Sequence, residues 1–211
     1  MKWKLLIITC TAVLMAPESQ AQFMRGFGLK VGAVSATQKW QYWSNSQLST
    51  GPRWGVDAGV FVEALDIPFV SVLAELHYIQ KGFTTTLPVT TAAQPDGTGE
   101  DITFKPRVDY LSLPILAKVR FEVGSFTPYV FAGPRVDFFL SNTDDGFALV
   151  LDKFKKTDVG VSIGIGAEVP LSFVSYLLAE FRYSPSFTES FASGSLNVKN
   201  QSIELLLGVQ L

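Results

Sequence analysis

Cysteine is almost absent from this chain of 211 residues: there is one, Cys10, and it lies inside the first apolar run. Histidine is as scarce, with His77 alone. One thiol and one imidazole exclude a thiolate cluster and a multi-histidine metal site of the usual kind. A surplus of one charge is missing too, with 17 basic against 19 acidic side chains. There is thus no basic field to hold nucleic acid. Nor does any later stretch approach 18 consecutive apolar residues, so a spanning helix is not expected. Yet 47% of the residues are hydrophobic and the mean hydropathy is +0.26.

What is present begins with Lys2 and Lys4 ahead of the apolar run 5–15, followed by small residues at Ser19-Gln-Ala21. That pattern reads as a signal peptide over residues 1–21, with the barrel domain described below over 22–211. The run is far shorter than the ~20 residues of a spanning helix, which argues against a membrane anchor. Cys10 follows Thr9 only a few residues into the run, a poor context for lipidation. Removing Lys2, Lys4 and Glu18 leaves 15 basic and 18 acidic side chains and no cysteine. A secreted, apolar-rich chain without a spanning helix points to a transmembrane β-barrel.

The stretch 158–169 carries the pattern on which the rest is built. Val159, Val161, Ile163, Ile165, Ala167 and Val169 share one face, and Asp158, Gly160, Ser162, Gly164, Gly166 and Glu168 the other. Period-two alternation of this kind predicts a strand. It recurs near 25–36, 53–63, 70–83, 104–120, 126–141, 175–185 and 199–211, which makes eight strands. Pro114 falls inside the fourth of these in chain order and predicts a bulge or kink, because proline cannot donate to a ladder. Connections near 37–52, 84–102, 142–155 and 186–198 are long and polar; those near 64–69, 121–125 and 170–174 are short. Alternating long loops and short turns with an even strand number is the habit of bacterial outer-membrane barrels, and it predicts that both termini are periplasmic.

The cost of exposing charge to lipid, about 2–4 kcal/mol at the midplane, assigns the faces. The inward set is Lys30, Asp57, Glu75, His77, Lys118, Arg135, Asp137, Asp158, Glu168, Glu180, Arg182 and Glu204. Both signs occur in it, so these residues are expected to form a polar network that plugs the lumen of a barrel just wide enough for side chains. Inward glycines such as Gly28, Gly32, Gly59, Gly133, Gly160, Gly164 and Gly208 make room for Tyr110, Tyr129, Arg135 and Arg182. Trp54, Tyr78, Phe121, Phe138, Phe173, Tyr183 and Phe187 lie near strand ends and suit interfacial girdles. A lipocalin-like soluble barrel needs the opposite arrangement, with apolar residues lining its cavity.

Five segments in order, Gly28-Leu-Lys-Val-Gly32, Gly59-Val-Phe-Val-Glu63, Ala74-Glu-Leu-His-Tyr-Ile-Gln-Lys-Gly82, Asp109-Tyr-Leu-Ser-Leu-Pro-Ile-Leu-Ala-Lys118 and Pro128-Tyr-Val-Phe-Ala-Gly-Pro134, carry a resemblance. Together they resemble the PorT-like outer membrane β-barrel family of Bacteroidota. The third and fourth segments are the specific ones. The resemblance implies an eight-stranded barrel of the OmpA/OmpX-like kind. Its namesake is tied to protein secretion across the outer membrane, and the resemblance carries no catalytic or binding residue to this chain.

His77 beside Glu75 is the one place where a general base is conceivable, yet no nucleophile-elbow serine accompanies it. Asp144-Asp145-Gly146 with Asp152, and Asp96-Gly97 with Glu100-Asp101, offer oxygens for Ca²⁺ or simply form exposed acidic loops, since neither has EF-hand spacing. Trp40, Tyr42 and Trp43 either grip a sugar or partner or rest at the membrane interface. The Thr-rich stretch 84–99 reads as a mobile external loop.

The expectation is therefore an all-β, eight-stranded antiparallel up-and-down transmembrane β-barrel. It is non-enzymatic and without a cofactor. Its partners are outer membrane lipid and, as candidates, other outer-membrane or periplasmic proteins. The leading role is structural or interactive, the alternative an accessory component of a secretion or transport assembly, with a narrow pore and a small membrane enzyme behind them.

Overall fold

The structure, a computed structural model, describes residues 24–42, 47–48, 50–67, 69–91, 93, 95, 98–143, 155–189 and 196–211. Within them lie eleven strands: β1 Met24–Tyr42, β2 Gln47–Leu48, β3 Arg53–Ile67, β4 Val70–Gly82, β5 Thr85–Pro88, β6 Asp101–Phe104, β7 Arg107–Arg120, β8 Thr127–Thr143, β9 Thr157–Pro170, β10 Tyr176–Pro185 and β11 Leu196–Gln210. Alternation explains the long ones. Along β4 every second side chain is buried and those between are mostly exposed, as an extended chain with one buried face requires.

Eight of the strands, β1, β3, β4, β7, β8, β9, β10 and β11, pair antiparallel with their neighbours in chain order, and β11 pairs back to β1. The sheet is therefore closed. Closure removes the free edges that an open sheet would present to lipid, where an unpaired backbone group costs several kcal/mol. The seam is long and in continuous register from Gly28↔Gln210 to Tyr42↔Leu196.

Two expected loops are partly strand. β1 runs six residues past Ala36 to Tyr42 and is met there by β2. The stretch 84–102 contains β5, which pairs with β6 from Thr85↔Phe104 to Pro88↔Asp101. Threonine suits a pleated, half-solvated ribbon, so a Thr-rich stretch outside the membrane is a hairpin here and not a structureless loop. The expected bulge at Pro114 is also displaced. The β4–β7 ladder keeps one register through Pro114, interrupted only between Ala74↔Ile115 and His77↔Ser112. The register shift of the β7–β8 ladder lies elsewhere, where Asp109 pairs with Ser141 and Tyr110 with Phe139, so that the extra residue is Leu140 on β8.

The outer face carries bare apolar side chains all round. Phe27, Leu29, Val60, Leu76, Ile115, Val130, Ile163, Ile165, Phe181 and Leu205 are among them. Aromatic residues gather at its two rims. Trp54, Tyr78, Phe138, Tyr183 and Phe187 lie towards the long-loop end, and Phe69, Phe121, Phe126 and Phe173 at the short turns, with Phe173 82% exposed.

Candidate functional site

All twelve of the charged and histidine side chains assigned to the inner face are at most 4% exposed. They fall into three levels. Nearest the short turns, Arg25 on β1 reaches Glu63 of β3 at 2.8 Å and Glu168 of β9 at 2.9 Å. Lys118 of β7 sits between the same two carboxylates, 3.0 Å from Glu63 and in contact with Glu168. Arg120 adds a longer contact to Glu63, and the Ser71 hydroxyl donates to it at 2.5 Å. The Lys118 ammonium also lies 4.3 Å from the centre of the Tyr129 ring, within the range of a cation–π attraction.

The middle level is richer in acid. Lys30 bridges Glu75 and Glu180 at 2.6 Å each. Arg182 uses its two terminal nitrogens on the same two carboxylates, 2.7 Å to Glu75 and 2.8 Å to Glu180. Its Nε faces Glu204 at 3.7 Å. Glu204 is held by the Ser202 hydroxyl at 2.7 Å, and Glu180 by that of Tyr129 at 2.8 Å. Four charges arranged as two acids and two bases in a closed square offset the loss of hydration that makes isolated buried ions so costly.

His77 lies beside this square. Its Nδ1 is 2.6 Å from Asp57, while its Nε2 is 3.3 Å from Glu75 without the alignment of a hydrogen bond. The partner expected for it was Glu75, its neighbour on the same face of β4. Asp57 wins because β3 and β4 pair Gly59 with His77, so the Asp57 side chain is two residues along the adjacent strand.

At the loop end, Lys81 donates to Asp137 at 2.6 Å, with Arg135 Nε 3.2 Å from the same carboxylate. Asp158 accepts from Ser186 at 2.8 Å, Thr188 at 2.6 Å and Asn200 at 2.8 Å. Asn200 in turn accepts from Gln38 at 2.9 Å. Serine, threonine and asparagine thus all donate to this acid, a role that charge counting along the strands does not reveal.

Apolar groups also point inward, Tyr110 and Tyr129 as expected and leucines and other apolar side chains beside them. Phe61, Leu73, Leu116, Tyr129, Phe131 and Leu178 form one cluster between the turn-end and middle levels. Val34, Ala36, Ile79, Phe83, Val108, Tyr110 and Val198 form another near the loop end, with Phe139 packed on it. The signal was available, since Leu73 shares its face with Glu75 and Leu116 with Lys118. The inward glycines serve these rings as well as the expected tyrosine and arginine. A Cβ on Gly28 would lie 2.7 Å from Phe61 and one on Gly59 2.5 Å from the His77 ring.

Among the described residues no group of three His, Cys, Asp or Glu side chains is arranged to hold a metal ion. Asp96, Gly97, Trp43, Asp144, Asp145, Gly146 and Asp152 lie outside the described residues. The chemistry that the interior supports is charge pairing: Arg25, Lys30, Lys81, Lys118, Arg120, Arg135 and Arg182 each meet an acid, and the described polar contacts of His77 are to carboxylates.

An antiparallel barrel with a bare apolar belt outside and its charges gathered inside belongs to the class of transmembrane β-barrels. The chain is a member of the outer membrane protein beta-barrel domain family, whose match spans residues 19–192. The family places it in the bacterial outer membrane. Solved structures of similar path include Neisserial surface protein A (13% identity over 88% of this chain and 97% of that one, TM-score 0.47). Others are OprG from Pseudomonas aeruginosa (12%, 90% and 97%, TM-score 0.49) and outer membrane protein W of E. coli (17%, 88% and 97%, TM-score 0.43). At these identities the likeness concerns the chain path and not activity. No curated protein matches the chain.

Proposed function

We propose that this protein is a non-enzymatic outer-membrane barrel with a plugged lumen, acting as a structural or interaction protein through its external loops or periplasmic turns. The observation that carries the reading is the occupancy of the interior. Three levels of ion pairs and two apolar clusters follow one another along the axis. An ion crossing such an interior would have to break buried pairs and then pass an apolar constriction.

Residues 1–21 then serve as a signal peptide and 22–211 as the barrel domain. Both termini face the periplasm, with the short turns on that side. The two chain ends share the end of the short turns, where the backbone groups of Phe27 and Leu211 bond in both directions. The twelve inward side chains hold the barrel shut and take no part in catalysis.

The segments 74–82 and 109–118, through which the chain resembles PorT-like barrels, favour a second reading: an accessory component of an outer-membrane secretion assembly. Crosslinking and affinity purification from native outer membranes separate the two. A stoichiometric secretion or transport protein on the barrel supports the accessory role; recovery of the barrel alone supports a free-standing one. Planar-bilayer recordings test the plug itself, for which the expected outcome is no stable conductance step, and a reproducible step would overturn it.

A further inference from the structure

The seam between β1 and β11 shows a gradient along its lipid-facing side. Its outward pairs, from the turn end, are Leu29↔Val209, Val31↔Leu207, Ala33↔Leu205, Ser35↔Ile203, Thr37↔Gln201 and Lys39↔Lys199. Three rungs are apolar, one is mixed, one is polar and uncharged, and the last is doubly basic. Trp54 of β3 is paired with Ser35, and Tyr183 of β10 with Ile203. The mixed rung is therefore flanked by an aromatic residue on each side, at the level where aromatic side chains mark the edge of the hydrocarbon.

Lys39 and Lys199 lie four residues beyond that edge. At ~3.3 Å per residue and a strand tilt of ~40° this is about 10 Å above it, at the height of the lipid headgroups. Both are exposed, and neither has an acidic partner among the described residues. Directly opposite side chains on antiparallel strands have Cβ atoms about 5 Å apart, and like charges there repel. The fixed register keeps the two lysines side by side, so an anion between or above the two ammonium groups relieves their repulsion.

We propose that Lys39 and Lys199 form a binding site on the outside of the barrel for a phosphorylated lipid headgroup of net negative charge, as distinct from a zwitterionic one. The acyl chains of that lipid lie along the apolar rungs below, and Thr37 and Gln201 supply neutral hydrogen-bonding groups just beneath the charge. The lipid is one of the outer leaflet if the long loops are external, so the leaflet rests on the orientation proposed above. The contact itself does not.

The test uses the protein purified from membranes and placed in phosphatidylcholine nanodiscs with and without lipid A. The wild type is expected to retain lipid A and to melt at a higher temperature when it is present. The Lys39→Gln/Lys199→Gln variant should bind about thirtyfold less, the size expected for two lysines at an anionic surface, and lose that rise. In phosphatidylcholine alone it should be as stable as wild type or more so, because the repulsion is gone. This opposite sign separates a binding role from a merely structural one. Lys39→Arg/Lys199→Arg should restore retention, whereas Lys155→Gln/Lys156→Gln, at exposed lysines just before β9 and two strands from the seam, should leave it unchanged.

Equal lipid A retention by wild type and the glutamine variant overturns the proposal. So does full displacement of lipid A by millimolar inorganic phosphate, which would make free phosphate the ligand. Nanodisc binding does not depend on which way the barrel sits in a cell. Failure of the orientation would therefore be seen separately, by labelling intact cells, and would move the lipid to the inner leaflet.

Discussion

Gly59 faces His77 across the β3–β4 ladder so closely that a Cβ there would lie 2.5 Å from Cγ of the imidazole and 2.6 Å from the Leu76 carbonyl oxygen. The ring cannot retreat without breaking the 2.6 Å contact between its Nδ1 and Asp57. Gly59→Ala should therefore destabilise the folded barrel by about 1–3 kcal/mol, the usual range for overpacking. Urea midpoints followed by the gel mobility of folded and unfolded forms measure this. In a His77→Ala background the cost of Gly59→Ala should shrink, because only the backbone contact remains. An unchanged cost there would mean that the ring is not what the glycine accommodates.

Arg182 ties three acids together, with Glu75, Glu180 and Glu204 at 2.7, 2.8 and 3.7 Å. Arg182→Met leaves Lys30 as the remaining lysine or arginine on Glu75 and Glu180 and should cost about 3–5 kcal/mol, as breaking a buried pair does. Lysine at the same position keeps the charge but not the fork that engages Glu75 and Glu180 together, so Arg182→Lys should fall between. Unfolding free energies in one detergent give the order. If Arg182→Met were as stable as wild type, the square of charges would not be what holds the middle of the barrel.

The strands and their faces were legible because a barrel in lipid enforces period two strictly: an outward charge such as one in place of Ile165 is costly, so Asp158 to Val169 alternates without a break. Much of the ion-pair pattern was not legible. Arg25 and Glu168 are 143 residues apart in the chain and meet across the lumen, and linear order contains nothing about which long side chains converge. The polar strand extensions were missed for a different reason. Beyond the hydrocarbon no solvent preference separates the two faces, so Thr85–Pro88 and Asp101–Phe104 pair without the alternation that betrays a membrane strand. Inward leucines such as Leu73 and Leu116 were overshadowed by the charges two residues away.

Ile163 stands on the lipid face between Ala132 of β8 and Tyr183 of β10. Ile163→Val removes one methyl group from a surface that lipid refills, so it should change stability by well under ~1 kcal/mol, less than the same change in a closed core. Ile165→Arg, two residues deeper in the belt between Val130 and Phe181, puts a charge into hydrocarbon at a cost of about 2–4 kcal/mol and should leave most of the protein unassembled and degraded. The assembled fraction in outer-membrane preparations reads both. Normal assembly of the arginine variant would invert the assignment of inside and outside.

Orientation can be read with a single thiol. The only cysteine is Cys10, so if residues 1–21 are removed on export, a barrel with one introduced cysteine carries one reactive site. Lys155 is exposed just before β9 at the long-loop end, and Glu122 is exposed in the turn between β7 and β8. Lys155→Cys should react with a membrane-impermeant maleimide on intact cells, and Glu122→Cys only after the outer membrane is opened. Both changes lie outside the ion-pair levels, so each variant should fold as wild type. Reversed labelling would place the short turns outside and carry the Lys39–Lys199 pair to the inner leaflet. Labelling of the parent chain, without either substitution, would mean that Cys10 is retained.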